Sequence, residues 1–256
     1  MRRVLTALAL LAAGVYLVLW APKPVFMGAA CLIAVLCYWE FRDLVSNHGI
    51  SPPDVLGIVA GLAVLYRPEK TLIVFAVLIV LVFARSLRLD NVRAILPHVS
   101  STALGTIYTF APWRMARDLR DISVHLLLFA LALSWAGDSA AFYVGRRFGK
   151  HRLAPVISPG KSWEGAAASL AGSLVFGIFY LGYFAPQIAT WRVVVMAIAG
   201  NVAGQMGDLA ESAMKRGAQM KDSGQLLPGH GGILDRVDSS LFALPIVYLL
   251  LLLTSL

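Results

Sequence analysis

Charge is scarce in this chain of 256 residues: Asp, Glu, Lys and Arg make up only 14% of it, against 59% hydrophobic residues and a mean hydropathy of +0.75. That balance excludes an ordinary soluble globule and leaves a multispanning membrane protein. Cysteine is scarcer still. Cys31 and Cys37 lie in one apolar run with no partner of metal-ligand type nearby, which excludes a disulfide framework and a zinc site. Soluble domains, low-complexity linkers and the inverted repeats common in transporters are missing as well. Acid is also in short supply, fourteen Asp and Glu against twenty-two Lys and Arg, for a net charge of +8. In a soluble domain this excess would suggest nucleic acid. In a membrane chain it points to anionic lipid headgroups and phosphorylated substrates.

What is present is mostly apolar sequence of spanning length, roughly 17 to 25 residues per stretch. Such stretches lie at about 4–21, 25–41, 54–66, 70–84, 99–113, 122–145, 164–185, 190–210 and 239–256. The predicted fold class is therefore all-α, a polytopic integral membrane protein with about nine transmembrane helices. The third to fifth stretches are short, which fits a re-entrant segment or helices longer than polarity suggests. Met1-Arg2-Arg3 before an apolar run has the outline of a secretory signal. Leu19-Trp20-Ala21 lacks the small residues of a cleavage site, so the run reads as a first transmembrane helix.

Cytoplasmic loops retain positive charge, so summing Lys and Arg over alternate loops orients the chain. With the N-terminus inside, fifteen of the 22 fall on the inner side, among them Arg42, Arg85, Arg88, Arg146, Arg147, Lys161, Lys215, Lys221 and Arg236. The outer side keeps seven: Lys23, Arg67, Lys70, Arg114, Arg117, Arg120 and Arg192. The bias predicts N-inside and C-outside. Arg114 to Asp121 is densely charged with both signs, as in a short amphipathic segment outside the membrane or a boundary misplaced by one span. Residues 1 to about 121 are otherwise Leu, Val, Ala and Ile with charges in loops, and read as scaffold. The small-residue pairs Gly57-x-x-x-Gly61 and Gly200-x-x-x-Gly204 predict close helix packing.

Three polar constellations remain. Asp138, in Trp135 to Lys150, sits inside the sixth stretch, where an ionisable group costs about 2.5–3.5 kcal/mol and needs a partner or a wet cavity. Ile157-Ser158-Pro159-Gly160-Lys161-Ser162-Trp163-Glu164-Gly165 reads as a loop ending at the seventh helix. A Ser there is a helix cap at the least, and Lys161 beside exposed helix N–H groups is a natural phosphate seat. Pro155 stands where a Walker loop needs its first glycine, so this is not one.

The densest constellation runs from Gly207 to Asp238: Asp208, Glu211, Lys215, Arg216, Lys221, Asp222, His230, Asp235, Arg236 and Asp238. Asp208, Glu211, Ser212 and Lys215 share one helical face, and Asp235 shares one with Asp238. Pro228-Gly229-His230-Gly231-Gly232 between them is a flexible turn that admits close backbone approach to a ligand. Carboxylates suit a hard cation such as Mg²⁺, lysine and arginine suit phosphate oxygens, and a turn rich in N–H groups suits an oxyanion. Together they predict a polyphosphate and metal site at the inner membrane face.

The run Ser212-x-x-Lys215-Arg216-x-x-x-x-Lys221-Asp222-x-Gly224-x-x-Leu227-Pro228-x-His230-Gly231-Gly232-x-x-Asp235-Arg236-Val237-Asp238 resembles the signature of the CDP-diacylglycerol synthases, or phosphatidate cytidylyltransferases. The Asp138-Ser139 to Glu164-Gly165 region is similar to that family's upstream motif, with a departure at Gly160, where the family commonly carries lysine. The resemblance implies transfer of the cytidylyl group of CTP to phosphatidate, releasing pyrophosphate. It implies Mg²⁺ as cofactor, with K⁺ as a monovalent companion, bound at Asp208 and Asp235. Partners would be CTP, phosphatidate and membrane lipid, with a homodimer as a further arrangement and no nucleic acid. The location implied is the bacterial inner (plasma) membrane, active site facing the cytoplasm.

On this reading residues 1–121 form the scaffold and 122–256 the catalytic region. Catalytic candidates are Asp208, Asp235, Lys215, Arg216, Lys221, Asp222 and Asp238; Ser158, Lys161, Ser162, His230, Gly231, Gly232 and Arg236 are candidates for holding the nucleotide. Asp222 and Asp238 would ligate metal or orient the basic residues. A cation transporter would also use Asp138, Asp208 and Glu211, but leaves the phosphate-type cluster unexplained. A CTP-dependent lipid kinase would differ in its product.

Overall fold

The computed structural model describes residues 2–226 and 231–254. Among these residues the chain forms α1 (Arg2–Leu19), α2 (Lys23–Asn47), α3 (Leu56–Tyr66), α4 (Thr71–Ser86), α5 (Ile95–Ile122), α6 (Val124–Phe148), strands β1 (Arg152–Ala154) and β2 (Ser158–Ser162), then α7 (Trp163–Phe184), α8 (Thr190–Gly217) and α9 (Leu234–Thr254). It is an all-α membrane protein in class. Five helices, α2, α6, α7, α8 and α9, are long and apolar enough to cross a membrane, whereas α3 and α4 are shorter apolar helices. At 1.5 Å per residue the 25 residues of α6 extend about 37 Å, more than the hydrocarbon core needs.

Several helices outrun the apolar stretches that announce them. α5 has 28 residues and continues through Arg114–Asp121, so the mixed charge belongs to its last turns rather than to a separate segment. An i,i+4 pair, Arg117 Nε to Asp121 Oδ2 at 3.8 Å, supports those turns. α8 runs to Gly217 and thereby carries Asp208, Glu211 and Lys215 on one continuous helix. The predicted loop before α7 is instead an antiparallel hairpin with Arg152 opposite Ser162 and Ala154 opposite Ser158, irregular between them. Backbone pairing across it satisfies main-chain groups that a free loop would leave to water. Ser162 then caps α7, accepting from Gly165 N at 3.1 Å.

The chain divides into two compact units, one of Met1–Pro22, Met115–Ala213 and Val237–Leu256, the other of Lys23–Arg114 and Met214–Arg236. Lys23–Arg114 thus clusters with Met214–Arg236, which carries most of the signature run. In the first unit Leu127, Phe129, Leu133, Leu181, Met196 and Leu244 are fully buried. Gly200 lies between Leu133 and Val247, at a distance that leaves no room for a side chain. Arg120 donates to the carbonyls of Val18 at 2.9 Å and Ala21 at 2.5 Å, closing the C-terminus of α1. In the second unit Tyr38, Phe41, Phe110 and Leu65 form the centre. Gly57 faces Tyr38 and Thr106, and Gly61 lies on the Phe110 ring, so both predicted glycine pairs serve helix packing.

Candidate active site

The first unit contains a cavity of about 510 Å³ bounded by the C-terminal half of α6, the hairpin, the start of α7 and α8. Asp138, Arg146, Arg152, Lys161, Gln205 and Asp208 supply its charged and polar lining. Lys161 Nζ contacts Asp208 Oδ2 at 2.5 Å, and Ser212 Oγ donates to Asp208 Oδ1 at 3.3 Å. The hairpin explains how Lys161 reaches that place: it fixes the lysine on a paired strand two residues before the capped first turn of α7. Asp138 thus borders a space that also carries the cations Arg146, Arg152 and Lys161, which offsets the cost of burying a carboxylate.

Beneath the cavity, buried polar groups hold α6, α7 and α8 in register. Asn201 Nδ2 donates to Ser169 Oγ at 3.0 Å and to Ser173 Oγ at 2.8 Å. Gln205 Nε2 donates to Asn201 Oδ1 at 2.7 Å, and Ser173 Oγ to the Leu133 carbonyl at 2.7 Å. Any Cβ at Gly137 would collide with Ser169, Ser173 and Asn201. Satisfied networks of this kind favour one arrangement of the helices, because a slipped register leaves buried groups unpaired.

The second unit holds the signature segment. Lys215 Nζ contacts Asp235 Oδ1 at 2.5 Å, with side chains only 11% and 5% exposed. Asp235 Oδ2 accepts from Ser223 N at 3.0 Å and Gly232 N at 2.7 Å, tying both arms of the segment to the first turn of α9. Gly231 has φ +81°, and a Cβ there would meet Asp235 Oδ2, so glycine is required by both backbone and space.

Glu40 of α2, absent from the predicted site, completes this arrangement. It is buried, and its Oε2 accepts from Ser223 Oγ at 2.9 Å and Leu234 N at 2.7 Å, its Oε1 from Ile233 N at 2.8 Å. A carboxylate on the leading N–H groups of α9 satisfies its orphan donors and complements the helix dipole. The available signal in the sequence was a lone acid at the end of an apolar run, which needs a partner.

Of the remaining candidates, Arg216, Lys221, Asp222 and Arg236 are exposed, and Ser158 is half-buried on β2. Arg216 donates to the Met220 carbonyl at 3.4 Å. Asp238 Oδ1 accepts from Ser239 N at 2.6 Å, a local turn-like bond. Glu211 is fully buried in α8. His230 lies outside the described residues.

Among the described residues no three His, Cys, Asp or Glu side chains gather as a ready metal cage. The donor chemistry nonetheless suits Mg²⁺, which takes one or two carboxylates and completes its shell with water and substrate phosphate. Asp208 and Asp235 each already hold a lysine ammonium, a cation in the place where a metal would compete.

A phosphatidate cytidylyltransferase of Staphylococcus saprophyticus is 44% identical over 135 residues, 53% of this chain and 52% of the relative. One from Staphylococcus haemolyticus is 40% identical over 154 residues, 60% and 56% of the two chains. One from Haemophilus influenzae is 44% identical over 124 residues, 47% and 43%. The chain spans about half the length of these relatives. The model of the cytidylyltransferase family matches far more, residues 1–254, from the first helix through the signature run to the last. The chain therefore belongs to the cytidylyltransferase family.

Proposed function

We propose that this protein is a phosphatidate cytidylyltransferase, transferring the cytidylyl group of CTP to phosphatidate and giving CDP-diacylglycerol and pyrophosphate. The observation that carries the reading is the pair of acid–lysine contacts, Lys161 on Asp208 and Lys215 on Asp235, each in a segment that resembles the family's motifs. A triphosphate needs cations and a lipid phosphate needs a site at a membrane face; the cavity of about 510 Å³ has room for a ligand of nucleotide size.

The phosphatidate monoester is anionic near neutral pH, so its oxygen attacks the α-phosphorus of CTP without a strong general base, and pyrophosphate leaves. What the protein supplies is alignment and charge neutralisation. Lys161, Lys215, Arg216 and Lys221 bind triphosphate oxygens, assisted by Ser158, Ser162 and Arg236. The N–H groups of His230 and Gly231 are proposed as donors to phosphate oxygens, beside Gly232, whose own N–H is held by Asp235. Asp208 and Asp235 are proposed as carboxylate donors to Mg²⁺, with K⁺ as its companion, and Asp222 and Asp238 as orienting acids. Bound Mg²⁺ would neutralise charge on the triphosphate and leaving group.

Nine spans, with the N-terminus inside and the catalytic loops facing the cytoplasm of a bacterial inner membrane, complete the proposal. Each of the nine α-helices among the described residues overlaps one of the nine apolar stretches, and the charge tally supports the orientation. The direct test is incubation of purified protein with phosphatidate and labelled CTP, following CDP-diacylglycerol and pyrophosphate together. Phosphorylated lipid with CDP as the nucleotide product would replace this reading with a kinase.

A further inference from the structure

The second unit contains another cavity, of about 630 Å³, which the proposed reaction does not use. Arg42, Arg85, Arg88, His98 and Asp54 supply its charged and titratable lining, an excess of guanidinium over carboxylate. Arg42 is two residues from Glu40 on α2, about 200° around the helix, so the cavity and the signature segment lie on different faces of it.

The acid in this cavity is locked in place. The Asp54 side chain is 4% exposed, its Oδ1 accepts from Leu56 N at 2.9 Å, and its main chain is held by Thr102 Oγ1 at 2.8 Å and Tyr38 OH at 2.6 Å. Asp54 Oδ2 receives Arg85 Nε at 2.9 Å, which fixes the guanidinium through Nε and leaves its two terminal nitrogens for another acceptor. The same Oδ2 lies 3.6 Å from His98 Nε2, while His98 Nδ1 is buried with no hydrogen-bond partner among the described residues. Neither Arg42 nor Arg88 has a carboxylate partner among the described residues, and Arg42 instead lies over the Trp39 ring at 5.0 Å. Three arginines with one acid between them form a cradle short of about two negative charges.

What fills that deficit is indicated by α4. Arg85 lies in its last turn, and its apolar residues Val77, Val80, Leu81 and Phe83 are 42–66% exposed on the approach to Arg85. An apolar helix ending in arginines is the usual meeting of acyl chain and headgroup. We infer that this cavity binds the phosphate of an anionic phospholipid, with Arg42, Arg85 and Arg88 on the phosphate oxygens and the acyl chains along α4. None of the residues proposed for the nucleotide or the metal lines this site, and it recognises a headgroup phosphate as an effector or resident lipid.

Native mass spectrometry of the purified full chain, titrated with phosphatidylglycerol or phosphatidylcholine, tests the inference. One phosphatidylglycerol should be retained in preference to phosphatidylcholine. The combined variant Arg42→Gln with Arg88→Gln should bind it at least about tenfold more weakly, since each lost arginine removes a charge-assisted contact. Arg42→Lys with Arg88→Lys should keep most of the binding, and thermal unfolding should show all three proteins folded. Equal retention by the folded Gln variant would overturn the inference. Displacement by inorganic phosphate, with glycerol phosphate binding as well as the lipid, would overturn the lipid assignment in favour of a soluble phosphate.

Discussion

Glu40 accepts the backbone N–H of Leu234 at 2.7 Å, joining α2 to the first residue of α9 across 194 positions of sequence. With the bonds from Ser223 and Ile233, one buried carboxylate holds both ends of the segment that carries the signature residues. A helix assigned to scaffold by composition is thus a support of the site.

Removing that carboxylate should be costly. Glu40→Ala strands buried donors, each worth about 1–3 kcal/mol, and should lower both the unfolding temperature and CDP-diacylglycerol formation. Asp43→Asn, exposed on the same helix, should do neither. Limited proteolysis between residues 220 and 235 is the specific readout: resistance equal to wild type in Glu40→Ala would show that the segment is held by other means.

The two carboxylates holding lysines should separate on stability. Asp208→Asn and Asp235→Asn should each abolish nearly all turnover with the protein still inserted. Asp235→Asn should also destabilise, because that side chain accepts from Ser223 N, Gly232 N and Lys215, whereas Asp208 is about a third exposed. Near-normal turnover in either variant, together with indifference to EDTA, would reject the metal assignment.

The lysines should differ in the same sense. Lys215→Ala leaves Asp235 buried beside an empty place and is expected to cost on the order of 3 kcal/mol in chemical or thermal unfolding. Lys161→Ala breaks a pair whose side chains are 27% and 31% exposed, and should cost about 1 kcal/mol or less while raising KM for CTP. Equal stability losses would contradict the burial difference between the pairs.

Orientation is open to chemical labelling. With Cys31 and Cys37 replaced by alanine, single cysteines at Val156 of the exposed hairpin tip and at Gln225 should be shielded from an impermeant thiol reagent outside intact cells. A cysteine at Ala189 should label. Outside labelling at Gln225 would place the proposed CTP site in the wrong compartment.

Direct transfer predicts that labelled pyrophosphate does not exchange into CTP in delipidated enzyme. Ser212, the nearest hydroxyl candidate for a covalent route, donates to Asp208 rather than to a histidine, so no relay activates it. Rapid exchange without lipid, or a CMP adduct on Ser212, would establish a ping-pong route instead.

Helix ends and a short hairpin escape the sequence for different physical reasons. Hydropathy reports the length of chain that lies in hydrocarbon, whereas a helix continues wherever its hydrogen bonds do. The polar end of α5 was therefore invisible as helix, whereas that of α8 was legible only through the helical spacing of Asp208, Glu211, Ser212 and Lys215. The hairpin was missed because strands of three and five residues containing Pro159 and Gly160 have no readable alternation.

The sequence alone determined the class, the rough position of the apolar helices, the acids and lysines of the signature run, and the family they resemble. These follow from composition, period and local spacing. Which groups meet was decided only in three dimensions. Helical spacing places Asp208 and Lys215 on one face of α8, but not that Lys161 pairs with the first and Asp235 with the second. Nor does it show that Glu40 is the acceptor for Ser223, Ile233 and Leu234. Such contacts depend on how separate helices pack, where the energy of satisfying a buried charge selects among arrangements that local sequence leaves equivalent.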